Sequence, residues 1–211
     1  MDTATKISLS TLETELVQNK EWILTKRKII EKVYLLFGEA LENYREILGD
    51  DKFSLPEFNK ASAGKISRGE NYHGLPYVIL DYPGLFAREN IFAIRTMFWW
   101  GNFFSISLHV SGKYLQDEWN SASTLQYLHD KAFFICTNDD QWQHHFETSN
   151  YIAAKELKPA DLYKIKERNF FKISKKLEVG EWDNVQNFLQ KTFVEITTFL
   201  NISFPAGETD L

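Results

Sequence analysis

Residues 91–112 read IFAIRTMFWW-GN-FFSISLHVSG, two runs rich in Phe, Ile and Trp on either side of a Gly-Asn pair. Two-residue loops containing glycine join antiparallel strands without splaying them, so this stretch predicts a central β-hairpin over 91–111. With Gly101 and Asn102 as the loop, alternation of side chains pairs Trp100 with Phe103, Phe98 with Ser105, Thr96 with Ser107 and Ile94 with His109. The other side then joins Trp99 to Phe104, Met97 to Ile106, Arg95 to Leu108 and Ala93 to Val110, and its apolar character makes it the expected core side. The first side mixes aromatics with hydroxyls and a histidine, as a pocket wall does. Thr96, Phe98, Trp100, Ser105 and Ser107 are its candidate ligand contacts.

Outward from the hairpin, Tyr77 to Tyr82 is an apolar, β-rich run closed by Pro83-Gly84 and preceded by the turn signal His73-Gly74-Leu75-Pro76. Lys65 to Tyr72 is more polar and is expected as a short strand. Further strands are predicted over 132–137, 142–148 and 170–174, so the sheet is expected to be mostly antiparallel. Pro159 opens a short helix to about Arg168, and the second half of 113–130 has helical spacing. Ser10-Thr11-Leu12-Glu13 has the spacing of a capping box, and Ile23, Ile30, Val33, Phe37, Ala40, Leu41, Tyr44 and Leu48 follow at helical steps up to Gly49. Residues 10–49 therefore form the N-terminal helical segment, 65–175 the sheet-containing region, and 181–201 a C-terminal amphipathic helix. Residues 50–64 are expected as a connection and 204–211 as a frayed tail. The fold class is α+β, in one domain over 1–211 with the long terminal helices packed on the sheet.

Composition narrows the function. A length of 211 residues suits one sizeable core, and 44% apolar with 25% charged residues is ordinary for a globular chain. Aromatics reach 15%, enough both to fill a core and to line a pocket. The net charge is −5 and no basic run exceeds Lys26-Arg27-Lys28, so nucleic acid is not an expected partner. Cys136 is the single cysteine, which excludes a disulfide framework and a cysteine-based zinc site. No segment approaches the ~20 apolar residues of a membrane span and the N-terminus lacks a signal-peptide layout, so a cytoplasmic protein with no membrane partner is expected.

No nucleotide, metalloprotease or hydrolase-elbow motif occurs, and no cofactor is expected. Three clusters could carry chemistry. His109, among hydroxyls and aromatics, titrates in the range that suits a general base. Arg95 falls on an otherwise apolar side, where a guanidinium needs a carboxylate or an anionic ligand, with Glu70 and Asp81 as candidate partners. The polar run from Arg68 to Gly74, with Glu70 and His73, precedes the strand carrying Asp81 and could face a ligand. His145 and Glu147 share one face of a strand over 142–148 and form a weak metal pair without a third ligand, so no metal is expected.

The leading expectation is a domain that binds a small ligand or a protein partner on its aromatic sheet face, without assigned catalysis. The alternative is a hydrolase for an anionic small substrate, with His109 or His73 as base, Glu70 or Asp81 as its orienting carboxylate and Arg95 as anion clamp. A homodimer through the same aromatic face is a third possibility.

Overall fold

The computed structural model describes residues 7–49, 63–116, 119 and 121–203. Most of the connection expected over 50–64, and the tail from residue 204, lie outside them. Helix α1, Thr11–Gln18, begins where the Ser10 hydroxyl accepts the Glu13 N–H and the Glu13 carboxylate accepts the Ser10 N–H at 2.7 Å. Asn19 is a one-residue break whose side chain caps α2, Lys20–Leu48, by accepting the Trp22 N–H at 3.0 Å. Gly49, at φ 57°, ends that helix in the left-handed region that glycine occupies without a side-chain clash.

The strands follow as β1 (Lys65–Tyr72), β2 (Leu75–Phe86), β3 (Ile91–Trp99) and β4 (Phe103–Ser111), then helix α3 (Ala122–Asp130), β5 (Phe134–Cys136), β6 (Tyr151–Ala153), helix α4 (Pro159–Lys166), β7 (Phe170–Glu178) and helix α5 (Val185–Ser203). They form one seven-stranded sheet in the order β1-β2-β3-β4-β7-β5-β6, antiparallel at every pairing. The protein is therefore α+β with an antiparallel sheet. Among the described residues no helix is long and apolar enough to cross a membrane.

The β3–β4 register differs by one residue from that expected of a Gly-Asn loop. The Asn102 N–H donates to the Trp99 carbonyl at 3.0 Å, which makes Trp100 and Gly101 the central residues of the turn, with Gly101 at φ 73°. A turn with positive φ at its third position places glycine there, and Asn102 is then a third loop residue. Trp99 pairs with Phe103, Met97 with Ser105, Arg95 with Ser107 and Ala93 with His109. A slip of one residue exchanges the side of one arm relative to the other.

Phe92, Ile94, Thr96 and Phe98 consequently share a side with Phe104, Ile106, Leu108 and Val110, all buried beneath α2 and α5. From α2, Val33, Phe37 and Tyr44 reach this layer, and from α5 Leu189, Phe193, Ile196 and Phe199. The Tyr44 ring stacks on Phe193 with centroids 3.9 Å apart, while its hydroxyl lies 3.1 Å from that of Thr96. Thr96 and Phe98 are thus core residues and not ligand contacts, and Trp100, in the turn, packs half-buried against the same core. On the opposite side of the sheet Ser105, Ser107 and His109 join Arg95.

β2 also runs through Pro83-Gly84 to Phe86, past the expected end of that strand. Its ladder shifts between Asp81 and Gly84, the interruption at which a residue without an N–H is tolerated.

Candidate functional site

The second sheet side is continued from β4 onto β7, where His109 faces Lys172 and Ser107 faces Ser174. Residues 137–150 cross over it. They were expected to contain a strand over 142–148, but they form turns and irregular backbone, and the strand that pairs with β5 is β6. Short polar side chains account for the difference. Asn138 Oδ1 accepts the Asp140 N–H at 2.8 Å and Asp140 Oδ1 accepts the Trp142 N–H at 2.9 Å, bonds that bend the backbone away from a ladder. The Tyr72 hydroxyl accepts the N–H groups of His144 and His145 at 2.7 and 3.0 Å, which ties the crossing segment to β1. Phe146 packs edge-on to Phe103, with ring centroids 5.0 Å apart, against the buried cluster that also holds Trp99.

Arg95 lies where the covered part of this side meets an open part. Its Nε and Nη2 donate to Asp81 Oδ1 and Oδ2 at 2.7 and 2.9 Å, a two-pronged pair across β3 and β2. The guanidinium lies 5.6 Å from the Phe86 ring centroid and 5.9 Å from that of Trp142. Both rings are about half exposed. In front of the pair opens a cavity of about 620 Å³, bounded by Lys65, Ser67, Asp81, Phe86, Arg95 and Trp142 among others.

Behind Arg95 sits a buried basic cluster. Arg95 Nη1 is 3.3 Å from His144 Nε2, and His144 Nδ1 is 3.5 Å from Lys172 Nζ. A guanidinium and an ammonium both only donate, so the neutral His144 ring can accept from one of them and turns its N–H toward the other. Lys172 Nζ donates to the carbonyls of Gln141 and Gln143 at 3.0 and 2.6 Å. Burial, with only 2% of Lys172 exposed, pulls its pKa down to about 8. Burial first, and then the Lys172 charge, lowers His109 to about 3 and drives His144 well below its ordinary value. His109 Nε2 lies 2.9 Å from Gln141 Oε1, so the neutral ring donates to the crossing segment. Ser107 and Ser174 hydroxyls are 2.7 Å apart beside Tyr151, and burial pushes both the Tyr151 hydroxyl and the Cys136 thiol upward.

Of the residues singled out by sequence, Arg95, Asp81, Ser105, Ser107 and His109 share this side. Asp81 and Arg95 bound the cavity, whereas His109 is buried behind it. Glu70 points to the helix side, where Lys26 of α2 bonds it at 2.6 Å, so it neither pairs with Arg95 nor meets the histidines of the cluster. His73 occupies the β1–β2 turn at φ 49°, its Nε2 3.4 Å from Gln143 Oε1 and its ring 5.4 Å from that of His145. His145 Nδ1 is 3.9 Å from Glu147 Oε2, and among the described residues no group of three metal-binding side chains includes them.

Sequence inspection missed Lys172 and His144. The signal for Lys172 was present in Phe170-Phe171-Lys172-Ile173-Ser174, where period two puts the lysine on the same side as Phe170 and Ser174 of a strand. His144 was hidden because no strand or helix period applies to its segment.

Fold and site together define an α+β protein whose antiparallel sheet carries helices on one side and, on the other, a covered basic cluster opening into a cavity. No family model, curated protein or solved structure matches the chain.

Proposed function

We propose that this protein binds a small anionic ligand with a flat apolar part in the cavity over β1–β3. The observation that carries this is the Arg95 guanidinium, braced against Asp81 at the cavity wall between two half-exposed aromatic rings. Among the described residues bounding the cavity, Lys65 and Arg95 outweigh the one carboxylate, Asp81, which favours an anion although the whole chain carries −5. Asp81 engages two of the five guanidinium N–H groups and His144 lies against Nη1, and the N–H groups left over can meet an anionic oxygen. Phe86 and Trp142, with centroids 6.4 Å apart, suit a planar group at the mouth.

Catalysis by the hydrolase route is less well supported. A base must be substantially regained near the working pH, and a histidine held at about 3 is too weak for that. Glu70 and His73 also lie on other parts of the molecule.

The test is calorimetric titration of the full chain with a panel of aromatic carboxylates and phosphates beside their neutral counterparts. Anionic aromatic members bind, and Lys65→Ala or Trp142→Ala weakens them by about tenfold, consistent with loss of one partly desolvated contact. Preference for the neutral members, or binding indifferent to both substitutions, refutes the proposal.

A further inference from the structure

The described chain begins with an exposed arm. Every residue over 7–25 is exposed, and α1 buries none of its side chains. Yet the arm is apolar along much of its length: Leu12 is 62% exposed, Leu16 43%, Trp22 48% and Leu24 51%. An eight-residue helix is too short to persist in water on its own, even with a good cap, and needs packing to hold it. Among the described residues none buries a side chain of α1, so its cover is sought on a second molecule.

The arm contains both halves of an answer. Residues 7–18 carry Glu13 and Glu15 and no basic residue, whereas residues 20–28 carry Lys20, Lys26, Arg27 and Lys28 against Glu21 alone. Lys26 is engaged by Glu70, but Lys20, Arg27 and Lys28 are exposed. Acidic α1 and the basic first turns of α2 are complementary in charge, and both present exposed apolar side chains. Within one chain they cannot meet. Asn19 is the only residue between the helices, and two helices lying side by side need a connection of about two to five residues.

We infer that the partner is a second copy of this chain, with α1 of each protomer lying across the first turns of the other's α2 about a two-fold axis. Such an interface is self-complementary and closes at two copies. Leu12 and Leu16 are buried against Trp22 and Ile23 of the other protomer, with Glu15 beside Lys20. The contact is confined to a short arm, so the dimer belongs to the weak, concentration-dependent class. It leaves the cavity over β1–β3 untouched.

Sedimentation velocity of the full chain across a range of concentrations tests this, with circular dichroism and thermal unfolding as folding controls. The wild type shifts from monomer to dimer as concentration rises, and Leu12→Gln/Leu16→Gln remains monomeric with its melting temperature unchanged, since neither side chain is buried within the protomer. Glu15→Lys, which leaves the Ser10–Glu13 cap intact, weakens the dimer by about tenfold through loss of its symmetric ion pairs. Adding Lys20→Glu to Glu15→Lys restores most of the loss. A wild type that stays monomeric throughout, a dimer that survives Leu12→Gln/Leu16→Gln, or a charge reversal that Lys20→Glu does not rescue overturns the inference.

Discussion

Arg95 and Asp81 are bound to each other twice across β3 and β2, at 2.7 and 2.9 Å, with side chains only 16% and 11% exposed. Removing one partner of such a pair strands the other charge, whereas replacing both with apolar groups often costs little. Arg95→Met is expected to lower stability by roughly 3 kcal/mol and Arg95→Met/Asp81→Leu to recover most of that loss. Urea unfolding of the two variants decides it. A neutral Arg95→Met would show that the guanidinium is held for something other than the fold.

Thr96 separates a structural polar residue from a ligand contact. Its hydroxyl is buried beside that of Tyr44 at 3.1 Å on the helix side, and burial pushes the Tyr44 pKa well above its ordinary value. Thr96→Val leaves the Tyr44 hydroxyl without this partner and should cost about 1 kcal/mol. Ligand titration of the same variant should match wild type, because the sheet lies between Thr96 and the cavity. An affinity loss without a stability loss would put Thr96 on the wrong side.

Much of the architecture is written in local chemistry. The Ser10–Glu13 cap, the helical stripe from Ile30 to Leu48 and the alternation of β3 can each be seen within a few residues, because each depends on neighbours close in sequence. The hairpin register is not of that kind. It depends on whether Gly101 is the first loop residue or the third residue of the turn, and both are chemically acceptable for glycine. That one choice moved Ser105, Ser107 and His109 to the side of Arg95 and took Thr96 and Phe98 into the core. Arg95 itself was conspicuous as a charge in an apolar run, and Asp81, one of its two expected partners, is the one it has. Lys172 and His144 escaped notice because their significance comes from contacts across more than 25 residues of chain.

Alkaline pH should stabilise the protein through Lys172. Its pKa is about 8 when folded against an ordinary 10.5, so between these the unfolded chain holds more protons and stability rises with pH. At about 1.4 kcal/mol per pH unit, the gain from pH 8 to pH 10 is about 2 kcal/mol. From about pH 9 the buried Cys136 thiol, and above pH 10 the buried tyrosines, whose pKa values are raised, pull the other way. Urea midpoints at pH 7, 8, 9 and 10 should climb for wild type and stay nearly level for Lys172→Met. A wild-type profile as flat as that of the variant would mean that the ammonium is not desolvated.

Acid should act on the same cluster from the opposite direction. His109 is faced by Lys172 across the β4–β7 ladder, by Gln141 from the crossing segment and, at longer range, by Arg95, with no carboxylate among the groups that shift it. Its folded pKa of about 3 lies below the ordinary 6.5, so its contribution is intact above pH 6.5 and is lost as pH falls toward 3. From pH 6.5 to 4.5, before most carboxylates titrate, that loss is about 2–3 kcal/mol for His109. His144 adds to it in the same direction. Because His109 and His144 hold residues 137–150 on the sheet, protonation should free that segment first, and Trp142 with it. Trp142→Phe serves as the reference for its fluorescence. The wild-type emission should move to longer wavelength below about pH 6, before global unfolding by circular dichroism, and His109→Gln should shift that change to lower pH. Coincident transitions, or an unchanged midpoint in His109→Gln, would rule out a local opening driven by this histidine.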